Sequence, residues 1–300
     1  MTSDGHAIAA RNMDGETDPQ YVTVNDVLVQ AVAGEGERRF VSVMWPGHVG
    51  GLSLMNEDGL YLMLNVGSMG RGGVATNVTA IEYVMRGLVS SLSSADATAQ
   101  RVSTELGRYR GSLGGVSASG TNIVFARKRP KATATQAEMQ IEEDGEDKVA
   151  ALGFVAELDR YQSTLRLPST AHSNLIAATN HFVSHGVNAS ADPSDDPQSP
   201  WQNFGVPVGH ETYWRYEALL SALRSRARNK QPIAGLADAA SLLQRAAHGT
   251  TEHSVAFAPE RLEIALAIAN PRQTHGRWDA PYGQWTTYAF SELFAPRVTV

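Results

Sequence analysis

Cysteine is absent from all 300 residues. That excludes disulfides, thiolate metal sites and a cysteine nucleophile within the sequence as it stands. Basic residues are in the minority: 25 Lys and Arg against 31 Asp and Glu give a net charge of −6, the wrong sign for a nucleic-acid footprint. No apolar run approaches the roughly 20 residues that a membrane-crossing helix needs. The N-terminus shows no basic stretch leading into an apolar one, so no signal peptide is visible, and the compartment stays open. The nine histidines show no His-Glu-x-x-His or comparable ligand spacing, which argues against a catalytic metal. The stretch Gly67-Ser68-Met69-Gly70-Arg71-Gly72-Gly73 is glycine-rich but matches neither a dinucleotide fingerprint nor a P-loop. It reads instead as a loop bordering a site, and no cofactor is expected.

What is present is a globular composition, 42% apolar and 19% charged, with enough apolar surface for a sizeable core. Residues 6–11, 21–32, 40–45, 51–55 and 60–66 are short, β-rich and separated by turn residues, and they predict consecutive strands. The connections are too short for parallel crossovers, so the sheet is expected to be antiparallel. Ile81, Val84, Met85, Leu88 and Leu92 recur at helical spacing, and Ser94 is a candidate N-cap for a second helix reaching 106. Strands are expected again at 121–126 and 133–141, with the acidic run 142–147 as a solvated turn. A buried strand is expected at 173–182, followed by a long turn-rich stretch over 186–200. Helices at 213–226 and 236–247 and closing strands at 251–258, 262–269 and 284–290 complete the chain. Strands, helices, strands, helices, strands in this order predict one domain over residues 1–300. Its class is α+β: an αββα sandwich of two antiparallel sheets flanked by helices.

Four segments carry chemistry. They are Arg11-Asn12-Met13-Asp14; Trp45-Pro46-Gly47-His48-Val49-Gly50 with Met55-Asn56-Glu57-Asp58-Gly59-Leu60 and Leu64-Asn65; Ala178-Thr179-Asn180-His181-Phe182; and Trp214-Arg215-Tyr216-Glu217. In order and spacing they resemble the choloylglycine hydrolase and isopenicillin-N acyltransferase-like families of the N-terminal nucleophile amidohydrolases. The likeness runs up to the closing strands. The first tetrad and the Met-Asn-Glu-Asp-Gly-Leu run are also similar to acid ceramidase and its N-acylethanolamine-hydrolysing relatives, which would imply a lipid amide.

The resemblance implies hydrolysis or acyl transfer at a linear, non-peptide C–N bond through an acyl-enzyme, with a small amide or acyl substrate. It implies that Arg11 lies beside the nucleophile and that Asp14 orients a free α-amino group. It further implies that Asn65 and Asn180 serve the oxyanion hole and nearby contacts, and that Arg215 belongs to the supporting polar network. These residue types suit the chemistry. An N-terminal residue supplies both nucleophile and base, because its α-amine titrates near ~7.7. A carboxylate can hold that amine, a guanidinium lowers a neighbouring thiol's pKa, and side-chain amides donate N–H to an oxyanion without adding charge. Plainer roles stand beside these. Arg11 and Asp14 could pair with each other at a strand end, Asn65 could form a turn, Asn180 could satisfy backbone groups, and Arg215 could be a solvated helix charge.

Only ten residues precede Arg11, fewer than separate the cysteine from the arginine in the resembled families. Three readings stay open. A cysteine-bearing first strand lies upstream of Met1; the protein is a non-catalytic relative that keeps the pocket as a binding or scaffold protein; or Thr2 becomes the nucleophile once Met1 is removed. Against the last, a shift of roughly seven positions at ~3.3 Å each would misplace the hydroxyl by about 23 Å. If the first strand is missing, the strand bearing Arg11 has an exposed edge that invites association. The resembled families often assemble as multimers or processed heterodimers, which leaves a homo-oligomer open. Specificity is expected in loops such as 67–77 and 186–200.

Overall fold

A computed structural model describes residues 6–14, 28–66, 79–109, 112–114, 121–129, 152–158, 163–168, 175–183, 208–247, 249–270 and 278–295. The expected strand 133–141, the acidic turn 142–147, the loops 67–77 and 186–200, Thr2, and the first parts of two expected strands, 21–27 and 173–174, lie outside these residues.

Among the described residues two antiparallel sheets, of seven and four strands, form the centre. The larger has seven strands, β2 (Leu28–Val32), β3 (Phe40–Met44), β4 (Ser53–Asn56), β5 (Leu60–Val66), β8 (Thr121–Arg127), β9 (Gly153–Leu158) and β10 (Ser163–Arg166), in the order β10-β9-β8-β5-β4-β3-β2. The smaller has four, in the order β1 (Ala9–Asp14), β11 (Thr251–Ala258), β12 (Glu263–Ile268), β13 (Trp285–Ala289). A two-stranded parallel pair, β6 (Thr79–Ala80) and β7 (Leu113–Gly114), stands apart. Among the described residues β1 pairs only with β11 and forms an edge of the small sheet.

Period-two alternation assigns each strand's side chains to a layer. On β5, Tyr61 and Met63 face the small sheet, where they pack with Val255, Phe257, Ile264 and Leu266. Leu60, Leu62 and Leu64 face outward onto α1 (Ile81–Ser91) and α2 (Ala99–Gly107). The outer face of the small sheet is lined by small residues, Ala10, Ala256 and Ala265, against Ala239 of α4 (Leu236–Leu243). Small side chains let a helix lie close to a sheet. The long helix α3 (Val208–Arg228) packs through Leu219 and Leu223 against Leu242 of α4 and against Leu175 and Ala177. Helix layer, sheet, sheet, helix layer is the αββα order expected from the sequence.

The two sheets approach closely at one end. Gly59, in the turn between β4 and β5, has φ +81°, and a Cβ there would stand 2.6 Å from the Pro259 carbonyl oxygen in the turn between β11 and β12. Only glycine fits both the backbone and the gap. Nearby, the Arg129 N–H donates to the Glu260 carboxylate at 2.5 Å.

Three expectations are corrected. Ser94 is not an N-cap: its hydroxyl donates to the Lys128 carbonyl at 3.1 Å, and α2 begins later, with Thr98 accepting from the Arg101 N–H at 3.1 Å. Residues 175–183 do not form a continuous strand: Leu175 and His181 make isolated bridges, and side chains take several of the other backbone groups, at Ala177, Thr179, Asn180 and Val183. The last expected strand stops at Ala289, where a short helix, α5 (Phe290–Leu293), begins. Strands β9 and β10 have no counterpart in the expectations. In β9, residues 154–158 are all buried, so the period-two signal that marks a half-solvated strand is missing.

Candidate functional site

The tetrad Arg11-Asn12-Met13-Asp14 ends β1, and alternation sends its members to different layers. Asn12 points to the helix side, donating to the Leu243 carbonyl at the end of α4 at 3.0 Å and accepting from the Ser254 hydroxyl at 2.8 Å. Arg11 points between the sheets and is 6% exposed. Its guanidinium donates to the Leu52 carbonyl at 2.8 Å, the Ser53 hydroxyl at 3.2 Å and the Met13 sulfur at 2.8 Å. None of these acceptors carries a charge. Among the described residues Arg11 has no ion-pair partner, and burial holds its pKa below the ordinary arginine value.

The pairing with β11 shifts register between Met13 and Asp14, so that Asp14 faces Thr251. A bulge at a strand end re-aims a side chain. Here the Asp14 carboxylate accepts from the Thr251 hydroxyl at 2.6 Å and from the Arg215 guanidinium at 3.1 Å. Arg11 and Asp14 therefore do not pair with each other; the partner of Asp14 comes from α3. The other arm of Arg215 donates to Asn180 Oδ1 at 2.9 Å, and Asn180 Nδ2 donates to the Val66 carbonyl at 2.8 Å. These two bonds fix which end of the Asn180 amide is the donor. Asn65, next to Val66, continues the inner face of β5 beyond Tyr61 and Met63. Its Nδ2 makes one long contact, 3.4 Å, to the Ala178 carbonyl.

Five residues from four segments far apart in the sequence thus converge at one end of the sheet pair. Asp14, Arg215 and Asn180 form a continuous chain, Asn65 stands beside its end, and Arg11 lies deeper on the same strand as Asp14. Arg215 is not a solvated helix charge, since it is 9% exposed. Among the described residues no three His, Asp or Glu side chains converge as a metal would require.

No protein-family model and no curated protein matches this chain. Solved structures do. An N-acylethanolamine-hydrolyzing acid amidase ortholog of Caenorhabditis elegans aligns with a TM-score of 0.54 over 86% of this chain and 90% of that one, at 11% identity. Penicillin V acylase from Agrobacterium tumefaciens aligns at 0.51 over 96% and 89%, also at 11% identity. The fold is that of the N-terminal nucleophile hydrolases.

Within this N-terminal nucleophile fold, several site neighbours carry no motif. Asn122 on β8 lies beside Asn65 in register, and Glu157 on β9 lies beside Asn122. Asn122 donates to the Thr179 and His181 carbonyls at 2.8 and 2.9 Å. Glu157 is fully buried, pairs with Arg166 at 2.9 Å and accepts from the Val183 N–H at 3.1 Å. Arg166 also donates to the Ala177 carbonyl at 2.8 Å. These side chains hold residues 177–183 where no continuous ladder does. The available sequence signal was a polar residue at an inward position of an otherwise apolar strand, visible at Asn122.

Two buried histidines border the site. His253 on β11 packs edge-on to Trp45, and its Nδ1 has no hydrogen-bond partner among the described residues. Burial, then the charge of Arg11, lower its pKa to about 3. His181 is lowered to about 4, first by burial and then by Arg166. Both values lie below the ~6.5 of an unfolded histidine, so the folded protein binds fewer protons and acid favours unfolding. The contribution of His253 is complete above about pH 6.5 and is lost as pH falls toward 3. At ~1.4 kcal/mol per pH unit, His253 alone is expected to cost about 2 kcal/mol of stability between pH 7 and pH 5. Urea unfolding at the two pH values checks this, with His253→Gln expected to flatten the dependence. An equally steep dependence in that variant would refute the assignment.

Proposed function

We propose that this protein is an amide hydrolase or acyltransferase acting on a linear, non-peptide C–N bond, with its nucleophile supplied by an N-terminal cysteine on a strand completing the edge at β1. The observation that carries the reading is the chain Thr251–Asp14–Arg215–Asn180–Val66, with Asn65 at its end, beside the edge of β1 and the buried guanidinium of Arg11.

In this reading the thiol transfers its proton to the α-amine, and the thiolate attacks the amide carbonyl carbon. Arg11, buried and facing only neutral acceptors, favours the thiolate. Asp14 holds the α-amine where it first receives that proton and then delivers it to the departing nitrogen. As the C–N bond breaks, the amine leaves and a thioester remains, which water or an acceptor amine then resolves. Asn65 and Asn180 donate N–H to the oxyanion that forms and collapses in each step. Arg215 fixes Asp14 relative to Asn180. Asn65 is the less committed of the two amides, which suits a donor whose acceptor arrives with the substrate.

The test is the intact mass and N-terminal sequence of the protein produced from its native locus with the upstream DNA included. A mature chain beginning with cysteine ahead of Met1 is the expected result. A chain beginning at Met1 or Thr2 would overturn the catalytic reading and favour a binding protein built on the same pocket.

A further inference from the structure

Asn180 sits in a segment that makes only isolated bridges, at Leu175 and His181, yet its side chain must hold a position between Arg215 and Val66. Two residues outside that chain bracket it. The Asn122 amide, fully buried, uses both of its N–H groups on the carbonyls of Thr179 and His181. On the other side Thr212, on α3 and also fully buried, accepts the Asn180 N–H at 2.7 Å. A trans peptide points its C=O and N–H in opposite directions. The peptide joining Thr179 and Asn180 is therefore held from both sides, by the large sheet through Asn122 and by α3 through Thr212.

The surroundings keep both groups in place. Asn122 is flanked in register by Asn65 and Glu157. The Thr212 hydroxyl lies 3.0 Å from His181 Nδ1, and its carbonyl accepts from the Thr179 hydroxyl at 3.1 Å. Thr212 shares the inner face of α3 with Arg215, one turn on. The residue that binds the Asn180 backbone and the residue that binds its side chain are thus set by a single helix.

We propose that Asn122 and Thr212 are positioning residues for Asn180. They fix the peptide from which its side chain reaches Val66 and Arg215, without touching the reacting atoms. The inference rests on the reading of Asn180 as an oxyanion donor.

The test uses ¹⁵N-labelled protein and the Asn180 side-chain amide signals, identified by their loss in Asn180→Ala. In the wild type the N–H bonded to Val66 is expected to exchange slowly with solvent. In Asn122→Leu, which keeps the volume but has no donor, and in Thr212→Val, which keeps the shape, exchange at this group is expected to rise about tenfold, the size of one lost hydrogen bond. Backbone amides of β5 should be unchanged. Should Asn122→Leu fail to fold, the isosteric Thr212→Val decides. Unchanged exchange in a folded variant overturns the proposal. A kinetic arm on the protein expressed with its native upstream sequence separates the two readings. There kcat should fall about tenfold while KM stays within about twofold, a split that general loosening of the fold would not produce. Faster exchange in the two variants, with no amide turnover by the wild type, would support the positioning and remove the oxyanion role. Turnover with unchanged exchange would do the reverse.

Discussion

Asn65→Ala is expected to lower kcat by about 100-fold or more while leaving the melting temperature almost unmoved. The structural reason is the weakness of its present bond, a single contact of 3.4 Å to the Ala178 carbonyl, at the outer limit of a hydrogen bond. A side chain with so little invested in the folded protein costs little to remove. A donor aimed at a developing oxyanion does its work only in the transition state, and loss of one such donor costs about 3 kcal/mol there. The expected signature is a fall in kcat with KM nearly constant, measured on the protein expressed with its native upstream sequence. A rise in KM alone would reassign Asn65 to substrate binding. A large fall in melting temperature would make it a structural residue.

Asp14→Asn is the second large effect, and it isolates charge from shape. The Asp14 carboxylate accepts at one oxygen from Thr251 and at the other from Arg215. An asparagine can keep its oxygen toward Arg215 and turn its N–H₂ toward the Thr251 hydroxyl, which then accepts instead of donating. The geometry survives and the negative charge does not. An α-ammonium group would then face a neutral amide and two nearby guanidinium groups. Proton transfer by a positioned group contributes roughly 10²–10⁴-fold, so a loss of at least 100-fold in turnover is expected. Activity within a few-fold of wild type would end the proposed amine-anchoring role of Asp14.

The sequence and the structure agree most closely where the physics is local. Short β-rich runs bounded by turn residues place strands at 251–258 and 60–66, the limits the structure shows for β11 and β5, because the punctuation at their ends is itself local. Asp14, Asn180 and Arg215 were legible only as members of spaced motifs. Nothing local says that residue 14 pairs with residue 215, since that contact depends on a bulge in β1 and on how α3 lies. The segment 175–183 misled for a physical reason. Its apolar alternation is real, with Ile176 and Ala178 toward one core and Leu175 and Ala177 toward another. Periodicity reports which side is buried and cannot tell whether backbone or side chains satisfy the N–H and C=O groups. Asn122, Glu157 and Thr212 escaped notice for a related reason, as each binds a backbone group of residues 179–183, and backbone groups carry no sequence identity.

The close approach of Gly59 to Pro259 makes that end of the sheet pair a fulcrum. Asn65 stands six residues further along β5, a lever arm of roughly 20 Å at ~3.3 Å per residue. Plates joined at one edge gape most at the other, so an opening of only ~3° would part the far ends by about 1 Å over that arm. Asp14 rides on one plate and Asn65 on the other. The bonds running from Asp14 through Arg215 and Asn180 to the Val66 carbonyl cross the mouth between them, with Trp45 to Glu252 as a second tie at 3.1 Å. The polar groups that would serve a reaction are therefore also the latch that holds the jaws at a fixed gape.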